Sequence, residues 1–165
     1  MLIILFGLSG SGKNFVGEAL AKHFDFYFWD ADDSLPNTML DSIKDRKSFT
    51  QDMRNNMTQI VIRKLALLEM EYTDLVVAQG LYKEKNREEI MMAFPHAQFV
   101  WIQSSNENIA VRLKLRGGYI DGQYAELMKV NFEEPKLPCF VISNDKSETE
   151  VIAQLVQLIE SNNKA

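Results

Sequence analysis

Leu2-Ile3-Ile4-Leu5-Phe6-Gly7-Leu8-Ser9-Gly10-Ser11-Gly12-Lys13-Asn14 is an apolar run that breaks into a glycine-rich turn and reaches a lysine. Such a short continuous apolar run reads as a strand covered on both faces. The glycines let the backbone curl until its N–H groups converge on one point. A helix starting at Lys13 aims the positive end of its dipole at that same point. This strand, loop and helix together form the pattern that cradles nucleotide phosphates. The backbone of Gly7, Leu8, Ser9, Gly10, Ser11, Gly12, Lys13 and Asn14 would surround the anion, with the Lys13 ammonium reaching the outer phosphates. ATP is the expected ligand. One position departs from the pattern: Asn14 stands where a Ser or Thr hydroxyl ordinarily ligates Mg2+. Its amide oxygen can also ligate, from a longer side chain.

Working outward from that loop, strand-like apolar runs alternate with helical stretches. The strands are expected at 2–6, 26–29, 75–78, 99–102 and 140–142, and the helices at roughly 13–23, 50–72, 84–93, 105–116 and 147–161. Buried strands separated by amphipathic helices predict an α/β fold: three layers, with a five-stranded parallel sheet between helices. All strand ends then lie on one edge, where open α/β sheets bind their ligands. Asp30-Ala31-Asp32-Asp33 follows the second strand and Gln79-Gly80 the third, so both should meet the phosphate loop in one cleft. The stretches 34–48 and 116–138 are the least regular. They read as a substrate cap and a closing lid, the second containing Gly117, Gly118, Gly122, Pro135 and Pro138.

With 165 residues, 46% hydrophobic and 25% charged, the chain suits one domain with a proper core. A net charge of −5 argues against nucleic acid as the main partner. No apolar run reaches membrane-spanning length, and a strand beginning at residue 2 leaves no room for a targeting segment, so a cytoplasmic protein without membrane attachment is expected. Cys139 is the single cysteine, which excludes an internal disulfide and favours a small core residue.

Phosphoryl transfer needs held phosphates, a metal and an aligned nucleophile. If the second strand continues through the acidic cluster, alternation turns Asp30 and Asp32 to one side. Asp30 would then support the metal together with Asn14, and Asp32 would orient or deprotonate an acceptor hydroxyl. Such acids can also cap the following segment. Arg112 and Arg116, four apart on one helix face, suit a lid that closes over the transferring group. Arg46 could bind an anionic substrate. Arg54 and Lys64 are weaker candidates, and His23, His96 and the Met91-Met92 pair read as structural or surface residues.

Taken in order, these pieces resemble the gluconate kinase family, a branch of the P-loop small-molecule kinases that also contains shikimate kinase. The resemblance covers roughly residues 1–142. It rests on the phosphate loop, on Asp30-Ala31-Asp32-Asp33, on Asp45-Arg46-Lys47-Ser48-Phe49, on Lys83 and Arg87 after the third strand, on Arg112-Leu113-Lys114-Leu115-Arg116-Gly117-Gly118, and on Phe132-Glu133-Glu134-Pro135. The departures are Leu35 for a family histidine, Tyr119 for a lid histidine, Leu127-Met128 for a Ser-Gln pair, and Asn14. The ATP side is mostly kept and the sugar-acid side is eroded.

The resemblance implies transfer of the ATP γ-phosphoryl group, with Mg2+, to a hydroxyl of a sugar acid or similar metabolite. Lys13, Asp32 and Arg116 would act at the reacting centre, Arg112 beside the nucleotide, and Arg46 and Arg87 on a substrate carboxylate. The expected partner is a small anionic molecule, with a homodimer left open. The alternatives are a kinase for shikimate, a nucleoside or a nucleotide, and a nucleotide-binding module with little catalysis, which Asn14 motivates.

Overall fold

The computed structural model describes residues 1–117 and 120–162. Five strands, β1 (Leu2–Phe6), β2 (Tyr27–Asp30), β3 (Leu75–Ala78), β4 (Gln98–Gln103) and β5 (Phe140–Ser143), form one all-parallel sheet in the order β2-β3-β1-β4-β5. Leu5 lies beside Ala78 on one flank and beside Val100 on the other.

The pleat explains why β1 is apolar throughout. Leu2, Ile4 and Phe6 face a layer containing α3 (Gln51–Leu68) and α4 (Glu84–Ala93), where Met57, Val61, Leu65 and Ile90 cover them. Ile3 and Leu5 face the opposite layer, under α1 (Lys13–Phe24) and α7 (Glu148–Asn162), against Val16, Leu20, Val151 and Leu155. Both faces are dry, so neither tolerates a polar residue. Cys139 packs half-buried against the first of these cores.

β1 sits between β3 and β4, so the chain runs to one side of it first and then crosses to the other. That reversal opens a crevice at the carboxyl ends of the strands, where the phosphate loop leaves β1. The backbone N–H of Gly7 donates to Gly80 O (3.3 Å), joining the loops after β1 and β3.

The strands fall within a residue or two of the expected positions. The stretches read as irregular hold two short helices instead, α2 (Asn37–Lys44) and α6 (Gly122–Lys129), on either side of the crevice mouth. α6 starts where the Asp121 carboxylate accepts from the backbone N–H of Tyr124 (3.0 Å), and it buries Tyr124, Ala125 and Met128. α5 (Asn106–Arg116) is capped in the same way by Ser105, which accepts from Asn108 N. Of the expected lid hinge, Gly117 has a positive φ of 65°. Gly118 and Tyr119 lie outside the described residues.

Candidate active site

The phosphate loop is built from positions where a side chain cannot fit. Gly12 has φ 95°, and a Cβ there would stand 2.0 Å from Asn144 Nδ2. A Cβ on Gly7 would stand 2.5 Å from Ile102 O. The loop is therefore pressed against the neighbouring strand ends and keeps its backbone turned into the crevice. Two buttresses hold it from behind. Asn144, buried after β5, donates to Ser11 O (2.9 Å). Arg112 donates to Ser11 O (3.2 Å), Ser104 Oγ (3.0 Å) and Asn144 O (2.6 Å). Arg112 thus borders the phosphate cleft while its guanidinium braces protein carbonyls.

Lys13 folds across the mouth of this cradle, donating to Gly7 O (3.1 Å) and Leu8 O (3.0 Å). Burial lowers its pKa, and Asp32 and Asp30 oppose that shift. An incoming phosphate would replace two carbonyl dipoles with full negative charge, so the ammonium fits that ligand. Arg116, the last residue of α5, borders the same cleft as Ser9, Gly10, Gly12, Lys13, Asn14 and Asp32.

The acidic cluster is arranged differently from the expected extended alternation. β2 ends at Asp30, and Ala31–Ser34 turn into a single 3-10 turn. Asp30 caps that turn, its carboxylate accepting from Asp32 N (3.0 Å), and its second oxygen accepts from the Asn14 amide nitrogen. Alternation therefore does not bring the two acids together. The turn does, by projecting Asp32 into the cleft beside Lys13. There, crowding by protein atoms pushes the Asp32 carboxyl above the usual carboxylate range, against the pull of Lys13. The Asn14–Asp30 pair presents an amide oxygen and a carboxylate, a hard-oxygen donor set of the kind Mg2+ accepts.

Behind Asp32 a pocket, partly open to solvent, runs between α2, α3 and α6. Ser9, Lys13, Asp32, Gln79 and Gly80 line its phosphate side, as the strand order anticipates. Arg54 of α3 also lines it. Arg54 is only 9% exposed, and its guanidinium lies 5.6 Å from the Phe49 ring centre and 5.5 Å from that of Tyr82, with an Nη2 without any hydrogen-bond partner. Among the described residues no carboxylate pairs with it. Desolvation pulls its pKa down. A buried, unpaired arginine facing a cavity can receive an anion. Tyr82 ties this region to the phosphate loop, its hydroxyl accepting from Ser9 N (3.0 Å).

The two arginines expected on a substrate carboxylate stand elsewhere. Arg87 is fully buried and engaged by protein: it donates to Glu84 Oε2 through Nε (2.8 Å), to Leu81 O (2.7 Å) and to Glu133 O (2.7 Å). Glu84 in turn accepts from Lys136 N (2.9 Å) and Leu137 N (2.8 Å). This network fastens the segment after α6 to α4 and takes up the Arg87 guanidinium, which does not line the cavity. Arg46 lies on the surface, paired through both terminal nitrogens with Asp121. It bridges the cap side to the start of α6 and does not line the cavity. Lys64 is exposed, and His96 pairs at the surface with Glu69 (2.6 Å). Asp145, after β5, accepts from Ser104 Oγ (2.6 Å), Ser105 N (2.7 Å) and Asn108 Nδ2 (3.0 Å), which hold its carboxyl far below the ordinary range.

The AAA domain family model matches residues 2–135. The chain belongs to this family of P-loop proteins. It is 26% identical over 167 residues to the thermosensitive gluconokinase of Escherichia coli K12, covering 96% of this chain and 89% of that one. Among solved structures, a gluconokinase from Sinorhizobium meliloti 1021 superposes with TM-score 0.77 at 24% identity, covering 96% of this chain and 93% of that chain. A sugar kinase from Janibacter sp. HTCC2649 gives 0.83 at 16%, covering 96% and 94%. A shikimate kinase from Acinetobacter baumannii, in complex with shikimate, gives 0.65 at 18%, covering 98% and 93%. The fold is that of the P-loop kinases, and the gluconate kinase resemblance drawn from the motifs agrees with these relatives. Among the described residues no helix is long and apolar enough to cross a membrane.

Proposed function

We propose that the protein is an ATP-dependent phosphotransferase whose acceptor is a hydroxyl of a small acid of the sugar-acid type. The observation that carries this reading is the continuity of one crevice. A phosphate cradle, a carboxylate at Asp32 and an unpaired buried arginine at Arg54 follow one another along it. The gluconokinase relatives support the acceptor class.

ATP would supply the phosphoryl group, and Asn14 and Asp30 would hold a Mg2+ ion that offsets part of its charge. The backbone of residues 9–14 and Lys13 fix the phosphates. Asp32 hydrogen-bonds the acceptor hydroxyl and takes its proton as the new O–P bond forms and the bond from the γ-phosphorus to the bridging oxygen breaks, with ADP as the leaving group; its raised pKa makes it a better base than an ordinary aspartate. Arg116 lies where it can stabilise negative charge on the transferring group. Arg54 binds the acceptor's carboxylate and so orients the hydroxyl toward Asp32.

The test is Lys13→Ala, read by calorimetric ATP binding and by ADP release with a panel of hydroxy acids. Both should fall while the melting curve is kept. Unchanged ATP affinity in the folded variant would refute the phosphate-loop assignment. Asn14 in place of a hydroxyl residue, with its amide nitrogen tied to Asp30, favours a second reading, a nucleotide-binding module with little turnover. ATP binding without Mg2+-dependent turnover of any acceptor would support that reading instead.

A further inference from the structure

Tyr82 stands after β3, between the phosphate loop and Arg54. Resting on the kinase reading above, we infer that Tyr82 is a positioning residue for phosphoryl transfer. It fixes the spacing between the anchor of the acceptor and the cradle of the phosphates.

The first ground is what this side chain joins. Tyr82 is 6% exposed and lines the acceptor cavity. Its hydroxyl accepts from Ser9 N (3.0 Å) and lies 3.3 Å from Ser9 Oγ. Its ring centre lies 5.5 Å from the Arg54 guanidinium. The phosphate loop and the anion receptor therefore rest on the tip and the face of one stiff aromatic group, which has only two side-chain torsions.

The second ground is how firmly that group is aimed. Leu81, the residue before it, has φ 44°, a left-handed backbone that a leucine rarely adopts. The strained residue is clamped on both sides. Leu81 N donates to Gln79 Oε1 (2.9 Å), and Leu81 O accepts from the buried Arg87 (2.7 Å). Beyond it, the Tyr82 carbonyl accepts from Glu133 N (2.8 Å), and the ring meets Phe132 edge-on at 5.5 Å. Ile43, Tyr124 and Met128 pack in the same cluster. Backbone strain persists only where its surroundings impose it, and it collects at sites that need a fixed geometry. Here its result is the placement of Tyr82.

The third ground is what that placement controls. Transfer needs the acceptor oxygen in line with the γ-phosphorus and within reach of Asp32. Arg54 holds the acceptor by its carboxylate, so drift of this anchor relative to Ser9 is carried to the reacting hydroxyl. A misplacement of about 1 Å can cost about 100-fold in rate.

Tyr82→Phe isolates the effect, because it keeps the ring against Arg54 and Phe132 and removes only the tie to Ser9. Gluconate is the probe. The transfer rate is read in a single turnover at saturating gluconate, with enzyme in excess over ATP and both proteins well below their melting temperatures. Calorimetry gives Kd for ATP and for gluconate. The transfer rate should fall about tenfold or more, while each Kd stays within about threefold of the parent. A tyrosine with only a structural role would lower the melting temperature or weaken the affinities and leave the rate of the saturated complex unchanged. That result, or no change at all, overturns the inference and leaves the kinase reading standing. No transfer to gluconate by the parent protein, with ATP still bound, also overturns it. Failure of the parent to bind ATP would bring down the kinase reading itself.

Discussion

Replacing Arg54 by methionine should make the unliganded protein more stable while removing most of its activity toward an anionic acceptor. The two effects have one cause. Arg54 is 9% exposed, and its Nη2 has no partner. Holding an unpaired ion in such a place costs several kcal/mol of lost hydration. The rings of Phe49 and Tyr82, at 5.6 and 5.5 Å, return about 0.5–2 kcal/mol each. Methionine removes the charge, keeps the apolar stem against Met57 and the rings, and leaves a net gain of about 1–2 kcal/mol by that balance. For a domain of this size, each kcal/mol moves Tm by about 2–4 °C, so a rise of about 2–8 °C is expected in a thermal melt. The catalytic effect has the opposite sign. A charge-assisted hydrogen bond to a desolvated carboxylate contributes about 1.5–3 kcal/mol, so kcat/KM for the acceptor should fall about 10- to 100-fold or more. ATP binding, measured separately, should hold. A melting temperature that drops by several degrees, with acceptor KM unchanged, would show that Arg54 is structural and refute the reasoning.

The remaining predictions concern the base, the metal and the buried network. Asp32→Asn keeps the shape but removes the proton acceptor, so kcat should fall about 10²–10⁴-fold with ATP affinity intact. In the parent protein kcat/KM should rise with pH through a limb above the ordinary carboxylate range. Desolvation by the surrounding protein shifts the Asp32 carboxyl upward, and only its ionised form can take the hydroxyl proton; the asparagine variant should lack that limb. Asn14→Ser replaces the amide bonded to Asp30 with a smaller oxygen ligand, so half-maximal activation should need less Mg2+ and peak activity should rise. A flat magnesium titration would make the amide an adaptation. Arg87→Met strands the Glu84 carboxylate and should lower the urea-unfolding free energy by about 3–5 kcal/mol, with losses of activity that follow the unfolded fraction.

The sheet, its order of helices and the meeting of three loops in one crevice could all be read from the sequence, because each depends on a periodic or punctuated pattern. The apolar runs mark buried strands, and the glycines mark where the backbone must curl. Two features were missed for local reasons. α2 and α6 are short and begin with Asn37 and Gly122, poor helix formers, so propensity spoke against them. The Asp121 cap and the spacing of Tyr124, Ala125 and Met128 were nonetheless available as signals. The Asp30–Asp32 geometry was misjudged because a strand end cannot be placed to the residue from pattern alone. A carboxylate that caps its own chain also stops the strand.

The arginines show what a sharper reading of the same sequence would use. Arg54 lies in phase with Met57, Thr58, Val61, Leu65 and Leu68, the buried stripe of α3. Arg87 lies in phase with Glu84 and Ile90, the buried face of α4. Phase alone says that both are inside, and it gives no reason to prefer either as a ligand-binding residue. The positions three and four residues away separate them. Arg87 has Glu84 at i−3, an acid on its own face that can neutralise it, and the structure forms that pair. Arg54 has Thr50, Gln51, Met57 and Thr58 at those positions, none of which carries charge. A buried arginine whose helix supplies no counter-charge must find one across a tertiary contact or in a ligand. Among the described residues no carboxylate forms an ion pair with it and Glu133 acts only at longer range, so an anion entering the cavity could complete it. That same condition makes Arg54 a stability burden when the site is unliganded, and it is why the melting and kinetic effects of its removal should run in opposite directions.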